Sequence, residues 1–196
     1  MRRLAPRLVD RGAITAAYVG IGMAVTVAIS FLLIIPIEPI VWLLALPSGM
    51  LLGYYANQRS DRRGGPWGRI IVNGLFAALL TGLTMAVLLL GVKALFFFAD
   101  NGYRDPGLGG QLTCSPGAAC VYQRYLDLPG RRAELETAGI TGVEAFTAFY
   151  WEQQATAAGL TLGVTTLGGL VGAGLYGLTR RRSPEDLASS ETPAAA

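Results

Sequence analysis

Cys114 and Cys120 are the only cysteines in the chain, and they bracket Ser115, Pro116, Gly117, Ala118 and Ala119. Two lone cysteines flanking a turn on the outer face of a cell membrane read as a disulfide closing a small loop. A thioredoxin-like redox pair needs two-residue spacing and a supporting strand–helix unit, and neither is present. The chain has no histidine. Haem, iron–sulfur and His/Cys zinc sites therefore have almost no ligands to draw on, and a serine nucleophile has no imidazole to activate it. Five acids, Asp127, Glu134, Glu136, Glu144 and Glu152, are candidates for acid–base work. Such work requires paired carboxyls in contrasting environments, yet Glu134 and Glu136 are two apart and point to different sides of a helix. They read as a solvated charged face. Gly107, Gly109 and Gly110 are followed by no lysine, so no phosphate loop is expected. These residues predict no enzyme, no cofactor and no metal site.

The elements that hold these groups follow from composition. The 196 residues are 52% hydrophobic and 15% charged, with a mean hydropathy of +0.44, whereas soluble proteins carry about 25% charged residues. A pI near 9.1 suits nucleic acid only when it forms a basic face on a soluble domain. Here the arginines flank apolar runs, so the expected partner is a lipid bilayer and not nucleic acid.

A membrane-crossing helix needs about 20 predominantly apolar residues. Four runs meet this, at about 13–37, 40–57, 69–98 and 155–179. Pro36, Ile37, Glu38 and Pro39 cannot comfortably continue a helix, so the first two runs form a hairpin with a tight turn. The first run is far longer than the 7–15 residues of a signal-peptide core and lacks a small-residue cleavage pattern, so it reads as a retained helix. Arginine placement sets orientation. Arg2, Arg3, Arg7 and Arg11 lie in the N-terminal segment 1–12, Arg59, Arg62 and Arg63 in the loop 58–68, and Arg180, Arg181 and Arg182 in the tail 180–196. All fall on one side of four crossings, whereas 99–154 carries four arginines against seven acids. Both termini are therefore expected in the cytoplasm of a cell whose inner or plasma membrane holds the chain. The tail should be disordered. Tyr54, Tyr55, Trp67 and Tyr176 mark the inner boundary, and Trp42, Phe96, Phe97, Phe98, Tyr150 and Trp151 the outer one.

Lys93 lies roughly 36 Å along the third helix from Arg69 at 1.5 Å per residue, beyond a hydrocarbon core of about 30 Å. It should snorkel to the outer headgroups. Pro47 and Gly49, on either side of Ser48, predict a kink in the second helix. A broken helix lining a cavity is the transporter reading of the same residues, with Thr81 and Thr84 of the third helix as polar partners. The fourth helix carries Gly159 and Gly163, then Gly168 and Gly172, each a small-x-x-x-small step. That spacing flattens a helix face so that another backbone can approach. The partner is a helix of the same chain, a second copy, or another membrane protein.

Within 99–154, helical patterns run over about 119–126 and 131–138, and a third begins at Thr141, with Glu144 completing a capping box. The third should continue unbroken into the fourth crossing. The expected fold is all-α: an integral membrane four-helix bundle with a small helical extracytoplasmic cap between helices three and four. The expected function is that of a non-catalytic accessory, assembly or scaffolding component. A small transporter or channel is the first alternative, and an envelope sensor or redox-linked protein using Cys114 and Cys120 the second. No motif is specific enough to name a family.

Overall fold

The computed structural model describes residues 9–33, 38–60, 66–99 and 114–179, with the side chains of 31–43 also outside the description. The expected turn at Pro36 and Ile37, the arginines before Val9, Arg62 and Arg63, the glycine turns of 100–113, the Trp42 ring and the tail 180–196 lie outside the described residues. Among the described residues every regular element is helical: α1 (Arg11–Leu33), α2 (Glu38–Arg59), α3 (Trp67–Ala99), α4 (Ala118–Asp127), α5 (Pro129–Thr137) and α6 (Val143–Thr179). Arg11–Ser30, Trp67–Ala99 and Val143–Thr179 are long and apolar enough to cross a membrane. At 1.5 Å per residue α6 is about 55 Å long, against a hydrocarbon core of about 30 Å. Part of it must therefore lie outside any hydrocarbon it crosses.

The chain forms two compact units. The first comprises 1–27, 37–85 and 161–196, the second 28–36 and 86–160. The first unit buries mostly small residues. On α1 the buried positions of this unit are Gly12, Ala13, Ala16, Ala17, Gly20 and Ala24; on α2 they are Ala45, Ser48, Gly49, Leu52, Gly53, Ala56 and Asn57. Ile70, Asn73, Gly74, Ala77, Ala78, Thr81 and Gly82 continue the pattern on α3, and Thr161, Thr165, Gly168, Gly169, Gly172 and Ala173 on α6. The helical period is plain in each set. Leu52, Ile70 and Met85 are large apolar side chains buried among them, while many others turn outward, with Leu51 64%, Tyr18 71% and Leu178 75% exposed. In water this would leave a broad apolar surface uncovered. In lipid it costs nothing, and small residues inside let the backbones close on one another.

The second unit inverts the arrangement where α4, α5 and the start of α6 meet. Phe97, Leu135, Phe146 and Tyr150 are buried together, flanked by Tyr122, Tyr125, Phe149 and Trp151. Asp127, Arg131, Arg132, Glu136 and Glu144 face outward. Large apolar groups inside and charges outside are the pattern of a surface bathed in water. Local signals set the joints. Pro129 opens α5, a position where its missing N–H is no loss. At the other end the Gly139 N–H donates to the Glu136 carbonyl at 3.1 Å and the Ile140 N–H to the Leu135 carbonyl at 2.9 Å. This is a Schellman stop, and it needs the left-handed φ of +68° found at Gly139. The α6 cap differs from expectation. The Phe146 N–H donates to the Gly142 carbonyl at 2.9 Å, so Gly142 and not Thr141 holds the capping position, because α6 starts at Val143.

Candidate functional site

The four packing glycines of α6 divide into two kinds. A Cβ at Gly168 would strike the Leu46 carbonyl and approach the Met50 nitrogen at 3.1 Å. One at Gly172 would strike the Met50 carbonyl, with its carbon at 2.8 Å and the Tyr54 nitrogen at 2.9 Å. These are backbone atoms of α2, so the two main chains lie in direct contact. A Cβ at Gly159 or Gly163 would meet nothing within 4 Å among the described residues. Spacing alone does not separate the pairs; which helix lies beside each pair does.

Gly49 has a role that its position beside Pro47 conceals. A Cβ there would collide with the Thr165 carbonyl and come within 3.1 Å of the Gly169 nitrogen. Gly53, one turn on, would meet the Gly169 carbonyl, with the Gly169 Cα at 2.8 Å. Gly74 of α3 joins the same junction, 3.1 Å from the Gly169 carbonyl and 3.5 Å from the Gly53 Cα by the same construction. Three helices thus converge on Gly169. The α2 contribution was readable as Gly49-x-x-x-Gly53 and that of α3 as Gly74-x-x-x-Ala78-x-x-x-Gly82; neither spacing says that both meet at Gly169. Pro47 lies inside α2 with its ring exposed, while Ser48 and Gly49 are buried. The α6 backbone lies against the Gly49 and Gly53 face of α2. Thr81 and Thr84 donate to the Ala77 and Leu80 carbonyls of their own helix, both at 2.8 Å, and Thr165 to the Thr161 carbonyl at 2.8 Å.

Two polar pins hold the first unit. Asn73 Nδ2 donates to Asp10 Oδ2 at 2.8 Å, and the Asp10 N–H donates to Asn73 Oδ1 at 3.1 Å. Asp10 also starts α1, its carbonyl accepting the Ala13 N–H at 3.1 Å. Asn57 Nδ2 donates to the Gly53 carbonyl at 3.0 Å and across to Ile70 of α3 at 2.9 Å. At the helix ends Tyr54 meets Tyr176 edge-on at 5.5 Å, and the Trp67 ring fills the space beside Gly177.

In the second unit Cys114 and Cys120 are joined as a disulfide with Cα atoms 5.5 Å apart, at the start of α4. Phe97 packs against Phe98, Tyr150 and Trp151 at 4.9, 4.8 and 5.3 Å. Lys93 is half-buried on α3. Of the five acids, Glu134 has a defined setting. Arg131 Nη1 donates to its Oε2 at 3.0 Å, Gln153 of α6 donates to its Oε1, and the Arg131 guanidinium lies 5.3 Å over the Tyr125 ring. Burial acts to raise the Glu134 pKa, but the donors Gln153 and Arg131 together outweigh it and hold the carboxyl below its ordinary value. That is the behaviour of an ion-paired tie between α5 and α6. Compared with protein-family models, with curated proteins and with solved structures, the chain matches none.

Proposed function

We propose that this is a four-helix membrane bundle, crossed by α1, α2, α3 and α6, with both termini and 58–68 cytoplasmic and 99–154 an extracytoplasmic helical cap. Its role is that of a non-catalytic accessory, assembly or scaffolding subunit that docks a membrane partner, or a second copy, along α6. The observation that carries this reading is the division of the α6 glycines. Gly168 and Gly172 are filled by the α2 backbone, whereas Gly159 and Gly163 repeat the same spacing with nothing among the described residues within 4 Å. Close helix approach in a bilayer needs such small residues, and a glycine with no neighbour contributes only a cost in helix propensity.

The test is recovery of partners from native membranes after cross-linking, comparing wild type with Gly159→Leu/Gly163→Leu. The double variant should fold with a thermal midpoint at or above that of wild type and lose its cross-linked species. Gly168→Leu/Gly172→Leu should lose the fold itself. An unchanged cross-linking pattern in a folded Gly159→Leu/Gly163→Leu protein would overturn the reading.

A further inference from the structure

Asn57 is wholly buried, at 0% exposure, one helical turn from the Gly53 that meets α6. Both hydrogens of its amide are engaged, by the Gly53 carbonyl and by the Ile70 carbonyl. Exchanging the amide nitrogen and oxygen would set an oxygen against two carbonyl oxygens, so these bonds fix which atom is which. Oδ1 is then a buried acceptor with no donor among the described residues. Ile70, whose carbonyl takes one of the amide hydrogens, packs with Ala173 and Tyr176. A buried acceptor left without a donor costs about 1–3 kcal/mol, and backbone N–H groups within helices are committed to their own ladders.

We propose that Asn57 Oδ1 anchors a site for a single internal water between α2 and α3. Water matches the chemistry because it donates to the amide oxygen and keeps a second hydrogen for a helical carbonyl, which retains a free lone pair after its ladder bond. The water completes the cross-link that Asn57 begins through its bond to the Ile70 carbonyl.

Infrared difference spectroscopy on the full chain, with asparagine amide carbonyls carrying carbon-13, tests this. The protein is placed in phosphatidylcholine vesicles, whose headgroup has no hydrogen to donate, and the Asn57 band is isolated by subtracting Asn57→Leu. Asn57→Ser serves as a second subtraction should leucine disturb the packing. The expected result is a band at the hydrogen-bonded position together with a water O–H stretch, absent from the variants, that shifts in oxygen-18 water. A band at the position of an amide in an apolar solvent overturns the proposal. So does a hydrogen-bonded band with no such water stretch, since its donor would be a group of the chain.

Discussion

Gly172→Ala and Gly163→Ala add the same methyl group to the same helix, and the structure assigns them opposite signs. At Gly172 the methyl meets the Met50 carbonyl group and the Tyr54 nitrogen, all under 3.0 Å and all backbone. No side chain can rotate away, so α2 and α6 must separate. Overpacking of this kind costs about 1–3 kcal/mol, and main-chain obstruction belongs at the upper end. Alanine returns about 0.8–1 kcal/mol of helix propensity, leaving a net loss of about 2 kcal/mol. At Gly163 the methyl meets nothing among the described residues, so only the propensity term acts and the variant gains up to about 1 kcal/mol. The two should therefore differ by about 3 kcal/mol, roughly a hundredfold in the folding equilibrium. Purified variants unfolded reversibly by dodecyl sulfate in mixed micelles, followed by tryptophan fluorescence, provide the comparison. Equal stabilities, or a Gly172→Ala protein more stable than wild type, would refute the claim that α2 and α6 touch through their backbones.

Further outcomes follow from the other pins and joints. Asn73→Ala removes both bonds to Asp10 and should cost about 1.5–3 kcal/mol, as bonds to a charged group do; a loss near zero in the same micelle assay would show that the pair does not hold α1. Gly139→Ala should destabilise the α5–α6 joint by about 1–2 kcal/mol through its left-handed φ alone, since the methyl meets open space; limited proteolysis between α5 and α6 reports it, with Gly142→Ala as the contrast. Because the folded Glu134 pKa lies below its unfolded value, the tie contributes stability above the ordinary carboxyl range and loses it as pH falls through the folded pKa. The protection factor of the α5 amides, with the intrinsic exchange rate divided out, should accordingly fall as pH drops below the ordinary carboxyl range in wild type, and this acid dependence should flatten in Glu134→Gln. Cys114→Ser/Cys120→Ser opens a loop of sequence separation 6; chain entropy sets the loss at about 2 kcal/mol, read as earlier melting of α4.

What was legible in the sequence depended on the range of the interaction that sets it. The helical stretches expected at about 119–126 and 131–138 appear as α4 and α5, and the run from the cap into the fourth apolar segment is one helix, because periodicity and turn residues act locally. The α6 cap moved by one residue, from Thr141 to Gly142, within the usual uncertainty of helix ends. Long-range pairings were not legible. Asn73 looks like a lone polar residue near a membrane edge until Asp10, 63 positions away, is placed beside it. Nothing near either residue announces the other.

The same limit explains the glycines, and it bears on function. A small-x-x-x-small step states that a helix can be approached closely but not by what. In α6 the glycine–glycine step occurs twice with identical spacing, once against the α2 backbone and once against nothing among the described residues. Leucine at the second step would improve helix propensity and, in a bilayer, contact with lipid. On the scaffolding reading, glycine at 159 and 163 gives up that stability for the approach of another backbone to α6, which is why association of the Gly159→Leu/Gly163→Leu protein, more than its stability, is the property on which that reading stands.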